Sequence, residues 1–303
     1  MLFLSFLLLA PSAYASIGSD SEDAIINGHN ADITDFPYYA FLASGGGLLC
    51  GGAFIEEDLV LTAAHCLGDD DITVHSGSDS EDAIINGHNA DITDFPYYAF
   101  LASGGGLLCG GAFIEEDLVL TAAHCLGDDD ITVHSGITYL RNLKRSKGYA
   151  VKAVVPHPDF WSTGNSSVDL GLIRLQKKIT LGPKAQLIEL ATEPPPVGGE
   201  ATVVGFGVMK CVGEARCHEK VKLSKRLRYA DIDIEAVEPD GTIVTKSRGN
   251  KSTCYGDSGG PIAYNGQIIG VVSSGEYGDC TGYDIQGPVF PLLKWIEETK
   301  ATM

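Results

Sequence analysis

The first 140 residues contain neither lysine nor arginine, and the whole chain sets 21 basic residues against 40 acidic ones, a formal charge of −19. Neutralising nucleic-acid phosphates requires clustered Lys and Arg, so a nucleic-acid partner is excluded. No apolar run reaches the roughly 18 residues that a membrane-spanning helix needs, and none is expected here. The eight cysteines never fall in the paired C-x-x-C spacing of a zinc framework. With no phosphate-cradling loop and no metal-ligand cluster either, no cofactor and no metal are expected.

Residues Leu2 to Ala10 form an apolar run of signal-peptide length. Pro11 and the small-residue site Ala13-Tyr14-Ala15 follow, so cleavage after Ala15 is expected, leaving 16–24 as a pro-segment. Export to an oxidising, extracellular compartment makes disulfides the natural use of the cysteines. A hydrophobic content of 44% with 37 Gly, and Val, Ile, Thr and Tyr spread between turn residues, reads as an all-β globular protein.

Gly18 to Ser76 recurs without a mismatch as Gly77 to Ser135. Solenoid repeats diverge and come in several copies, so two identical copies mark a duplication rather than an architecture. Each copy carries eleven acidic residues and no basic one; a chain with a single copy would carry −8. An error of gene assembly and a recent exon duplication both produce this pattern, and the transcript across Ser76 and Gly77 tells them apart.

Short strands are expected at 97–102, 111–114, 118–121, 149–155, 170–175, 201–204, 267–273 and 287–290. From Leu292 to Lys300, apolar Leu292, Leu293, Trp295 and Ile296 recur at helical spacing just after Pro291, which predicts a C-terminal amphipathic helix.

A serine hydroxyl is a poor nucleophile at neutral pH. It needs a base, a group to orient that base, and donors for the oxyanion. Gly256-Asp257-Ser258-Gly259-Gly260-Pro261 puts Ser258 between glycines, where a tight turn can aim the N–H groups of Gly256 and Ser258 at one oxygen. Thr121-Ala122-Ala123-His124-Cys125 follows an apolar strand and offers His124 as the base, beside a cysteine that can bridge back to Cys109. Asp169-Leu170-Gly171-Leu172-Ile173-Arg174-Leu175 sets a carboxylate at the mouth of an apolar strand, where burial is costly unless it is hydrogen-bonded, and an imidazole N–H is a fitting donor.

These three segments, in the order His, Asp, Ser, resemble the chymotrypsin and trypsin family of serine peptidases, over Ile84 to the C-terminus. The resemblance implies two six-stranded antiparallel β-barrels with the site in the cleft between them. It implies protein or peptide substrates, protein inhibitors as further partners, a monomer, and no membrane. Ser258 would attack, His124 would shuttle the proton, and Asp169 would orient His124. Ile84-Ile85-Asn86-Gly87 resembles the family's mature N-terminus, whose freed ammonium would pair with Asp257 and order the oxyanion loop. Cys254 and Cys280 resemble the bridge across the specificity pocket, and Ser273 the serine beside the catalytic aspartate. Cys50–Cys66 would repeat Cys109–Cys125. Cys211 and Cys217 match no family bridge and would close a local loop.

Departures from the family's pattern bear on specificity. Ser252 stands at the floor position six residues before the nucleophile, which argues against Arg or Lys. Gly275 and Pro288 are expected on the pocket walls, Pro288 narrowing it, and Ser274 replaces a usual tryptophan. Cleavage after small or medium apolar residues is therefore expected. Ala24 and Ala83 precede the two Ile-Ile-Asn-Gly segments in place of Arg or Lys, so an enzyme with a narrow apolar pocket could activate itself. Two sequons, at Asn165 and Asn250, permit glycosylation.

His65 has the same local sequence as His124, and connectivity separates them. From His124 to Asp169 is 45 residues, near the family's separation, whereas from His65 it is 104. If copy one filled the barrel, copy two would become a 59-residue loop costing about 3 to 4 kcal/mol to close. The peptidase domain is thus expected at 84–303, with 25–83 a duplicated, partial barrel segment. The competing reading is a catalytically silent protease-like protein that binds a partner; the three intact triad residues count against it, and labelling with an active-site serine phosphonate discriminates the two.

Overall fold

The structure, a computed structural model, describes residues 38–44, 47–56, 59–67, 72–76, 84, 87–127, 130–146, 148–208, 224–247, 251–275, 280 and 282–303. The expected signal peptide and pro-segment, Ile25, Ala83, Asn250 and the Cys211–Cys217 pair lie outside the described residues. The chain divides into two compact units, Met1–Ser80 and Glu81–Met303.

In the first unit, β1 (Tyr39–Ser44), β2 (Gly47–Glu56), β3 (Leu59–Leu61) and β4 (Thr73–Ser76) form an open sheet in the order β3-β2-β1-β4. Cys50 and Cys66 are bridged, their Cα atoms 6.1 Å apart. Leu59 and Leu61 keep 46% and 63% of their surface in solvent.

The second unit repeats these strands as β6 (Tyr98–Ser103), β7 (Gly106–Glu115), β8 (Leu118–Thr121) and β9 (Thr132–His134), after a short β5 (His88–Asn89). Register repeats too: β1 against β2 and β6 against β7 shift at the equivalent places, Leu42/Ala43 and Leu101/Ala102. What differs is closure. β10 (Tyr149–Pro156) and β11 (Gly171–Leu175) complete the closed barrel β10-β11-β8-β7-β6-β9. Leu118 and Leu120, the counterparts of Leu59 and Leu61, are fully buried there. Burying one such side chain is worth about 1.5 to 3 kcal/mol, so closure favours the copy that is continuous with β10 and β11.

The second barrel is built from β13 (Glu200–Gly205), β14 (Arg228–Val237), β15 (Ile243–Ser247), β16 (Pro261–Tyr264), β17 (Gln267–Gly275) and β18 (Tyr283–Pro288). The order β17-β16-β13-β14-β15-β18 closes through pairing of β17 with β18, while β12 (Glu189–Leu190) lies parallel beside β17. Both barrels are six-stranded and antiparallel, as expected. β14 was not among the expected strands although it alternates: Ala230, Ile232 and Ile234 face the core while Asp231 and Asp233 point outward. The expected strand at 287–290 instead ends at Pro288, and the chain turns into a 3-10 helix over Phe290–Leu292.

The barrels meet on Tyr98, Phe100, Val204, Phe206 and Leu227, with Phe100 and Phe206 edge to face at 5.3 Å. The one-turn helix α1 (Phe160–Thr163) precedes Asp169, and α2 (Leu293–Lys300) is the expected terminal helix. Arg174 on β11 clasps α2: its guanidinium reaches Glu115 and Asp117 and donates at 2.8 Å to the Lys300 carbonyl.

Candidate active site

His124 sits in a 3-10 turn just after β8, held at its neighbour by the Cys109–Cys125 disulfide. Cys109, His124 and Cys125 are mutually close enough to suggest a metal centre, but both sulfurs are committed to that bridge. Asp169 ends the turn before β11 and is 2% exposed. Its carboxylate takes two bonds from His124, at 3.0 Å from the backbone N–H and at 2.7 Å between Oδ2 and the ring Nδ1. A third donor, the Ser273 hydroxyl, reaches Oδ2 at 2.6 Å. Burial pushes the Asp169 carboxyl up, but the His124 ring and backbone and Ser273 together outweigh it and hold the group below its ordinary range.

Sequence reading did not single out Ser166. Its hydroxyl lies 3.1 Å from that of Ser273 and 3.2 Å from that of Ser274, so three serines form a chain ending on Asp169. Nothing in the sequence around Ser166 signals this, because the partners are more than a hundred residues away.

The nucleophile loop is tied to the first barrel. Gly110 on β7 donates its N–H to the Ser258 carbonyl at 2.8 Å, and Thr121 at the end of β8 donates its hydroxyl to the Gly110 carbonyl at 2.7 Å. The same β8 leads into His124. Gly256 and Gly259 have φ of 93° and 72°, a backbone region that favours glycine. A Cβ on Gly259 would stand 2.2 Å from the Thr121 hydroxyl, so a larger residue would push the loop off β8. Among the described residues, no acceptor takes the N–H of Gly256 or of Ser258, which leaves both for an incoming oxygen.

Asp257 points the other way, into the second barrel, and is fully buried. Gly207 and Cys254 donate their N–H groups to it at 2.8 and 3.1 Å. A Cβ on Gly205 or Gly207 would collide with this carboxylate, so both glycines make its room. Burial pushes Asp257 up to about 7, and no cation faces it among the described residues. Ile84, in the uncut chain, is fully buried within the second-barrel core.

Beside Ser258 lies a cavity of about 290 Å³, walled by Val272, Ser273, Ser274 and Gly275 and by the Cys254–Cys280 disulfide. Gly275 is therefore where it was expected. Pro288 is not: it pairs with Gly270 near the far end of β18 and is absent from the lining. The expected alignment ran four residues late, and the β18 residue that reaches the cavity is Asp284, buried at 2% exposure. Ser252 is buried behind it and donates its hydroxyl to Asp284 Oδ2 at 3.3 Å. The lining therefore holds an acid, Asp284, that the expectation built on Ser252, Gly275, Pro288 and Ser274 did not include.

His65 occupies the matching turn of the first unit but is exposed, with no carboxylate against it among the described residues.

Comparison with known proteins bears on the family and the fold. The family model described as Trypsin matches residues 25–82 and again 84–296. The human protein Serine protease 1 is 30% identical over 239 residues, 74% of this chain and 92% of that protein. Trypsin of Sarcophaga bullata is 31% identical over 248 residues, 73% of this chain and 91% of that protein. Among solved structures, neuropsin, a serine protease expressed in the limbic system of mouse brain, superposes with a TM-score of 0.63 at 26% identity, over 71% of this chain and 99% of its own. Human heparin binding protein, at 24% identity and a TM-score of 0.62, covers 71% of this chain and 95% of its own and shows the fold alone.

Proposed function

Because the chain belongs to the trypsin family and is a serine-type endopeptidase, we propose that it is a secreted zymogen whose working unit begins at Ile84. Ser258 attacks the substrate carbonyl, forming an acyl-enzyme. His124 takes the Ser258 proton and returns it to the leaving amine, while Asp169 fixes the ring through Nδ1 and stabilises its charged form. The N–H groups of Gly256 and Ser258 receive the oxyanion. The observation that carries this reading is the His124–Asp169 bond of 2.7 Å, completed by Ser273, beside a nucleophile loop tied to the same β8.

Regulation follows from Asp257. A buried carboxyl without a cation is costly, and a cut before Ile84 would supply the missing ammonium. Burial of both Ile84 and Asp257 in the second unit supports that pairing. The apolar run at Leu2 to Ala10 and the three bridges Cys50–Cys66, Cys109–Cys125 and Cys254–Cys280 support export.

The test is labelling with a serine-directed phosphonate before and after a cut engineered ahead of Ile84. Labelling of Ser258 after the cut and not before is expected. No labelling in either state would leave a silent binding protein.

A further inference from the structure

Strand alternation dictates what β18 sends inward. Asp284 and Gln286 occupy inward positions, where an apolar residue would be the ordinary choice. Gln286 is accounted for inside the barrel, donating to the Thr245 hydroxyl at 2.8 Å. Asp284 is different, because it lines the cavity that opens beside Ser258.

Its polar partners are few and long. Oδ2 accepts from the Ser252 hydroxyl and from the Thr253 N–H, both at 3.3 Å. No cation pairs with it among the described residues. The charged and titratable groups around it come from three directions. Asp257, on the nucleophile loop, is an acid and repels it. Tyr255 stands at the cavity lining. Lys246 on the neighbouring β15 is engaged over the Tyr283 ring, 5.2 Å from its centroid. From β17 the cavity receives only Ser273, Ser274, Gly275 and Val272, none of them charged. Among the described residues the cavity lining holds one acid and no cation, which matches a cationic guest.

We propose that Asp284 is the specificity-determining residue of this pocket, which takes a lysine or arginine side chain of the substrate with its cation against the Asp284 carboxylate. The acid enters from β18 rather than from the floor position, where Ser252 instead helps to hold it. This rests on the reading of Ser258 as nucleophile. Burial pushes Asp284 up to about 6. The carboxylate is then charged at neutral pH and protonated in mildly acidic solution, where the preference for a cation fades. Cleavage after Ala83 would not use this preference, so self-activation loses its rationale and a second peptidase is expected to make the cut.

The experiment compares cut wild-type enzyme with Asp284→Asn on short peptides ending in Lys, Arg, Phe or Ala before the scissile bond. Truncating one partner of a buried charge pair costs about 2 kcal/mol or more, so the Lys-to-Phe ratio of kcat/KM is expected to fall about 30-fold or more. An unchanged ratio, or a wild-type enzyme that cuts after Phe or Ala but not after Lys or Arg, overturns the proposal. Should the variant misfold, the wild type decides alone: benzamidine should bind at least about tenfold tighter than neutral benzamide at pH 8, with the gap shrinking at pH 5. Equal binding at pH 8 overturns it. Loss of all cleavage and of phosphonate labelling would instead sink the peptidase reading, and benzamidine binding measured by calorimetry would still decide the pocket.

Discussion

Asp169 does its work by being buried and over-supplied with donors. Asp169→Asn would keep the shape but favour the wrong ring tautomer of His124, and a fall in kcat of about 10⁴-fold is expected in steady-state assays of the cut enzyme. Asp257 offers a test in the uncut chain. Its carboxyl is pushed from 3.8 to about 7 by burial, so the folded chain holds that proton more tightly than the unfolded chain does. The contribution to stability is therefore fully present below about pH 4 and is lost as pH rises toward about 7. In a Ser258→Ala precursor, Asp257→Asn should raise Tm more at pH 8 than at pH 5; a difference independent of pH would show that Asp257 is not titrating in this range.

Strands and turns set where these residues can reach. Gly207, in the turn after β13, leaves room for the Asp257 carboxylate, and a Cβ there would lie 2.4 Å from its carboxyl carbon. Gly207→Ala is expected to lower the Tm of the precursor and to slow activation, whereas Gly182→Ala, with open space around it, should change neither. At the other end of the unit, Arg174 binds β11 to α2. Arg174→Ala should cost about 1 to 3 kcal/mol by denaturant unfolding, since Asp117 and a helix-end carbonyl lose their partner and Glu115 keeps only Lys300. Much of this level was open to sequence reading: β6, β8, β10, β11, β13 and β17 lie within a residue or two of their expected positions, because each is a short apolar run bounded by turn residues. β14 was passed over because its outward Asp231 and Asp233 dilute the apolar pattern. Asp284 was missed because its strand was placed four residues late, and pocket position is a matter of register.

Across the whole molecule, two identical segments meet different fates. β10, β11 and Asp169 belong to the second unit, so among the described residues only His124 acquires an orienting carboxylate and only Leu118 and Leu120, not Leu59 and Leu61, enter a closed core. His124→Ala should abolish peptidase activity even with His65 intact, while His65→Ala should leave kcat/KM unchanged. Activity surviving in His124→Ala would mean that the first copy can fill the barrel. N-terminal sequencing of the secreted protein should give Ile84; a mature chain beginning only at Ile25 would contradict the assignment.

The order His124, Asp169, Ser258, the glycine turn around the nucleophile, the local bridge Cys109–Cys125 and the all-β architecture could be read directly from the sequence, because each depends on residues near one another or on motifs with a chemical requirement. The duplication could be read there too, with a connectivity argument for the second copy. Three things depended on tertiary structure. Closure decides which copy is buried, since identical strands have identical propensities and differ only in their partners. The serine chain behind Asp169 joins positions more than a hundred residues apart. And the presence of Asp284 in the cavity lining depends on which side of β18 it faces, a choice that a one-residue shift in strand register would reverse.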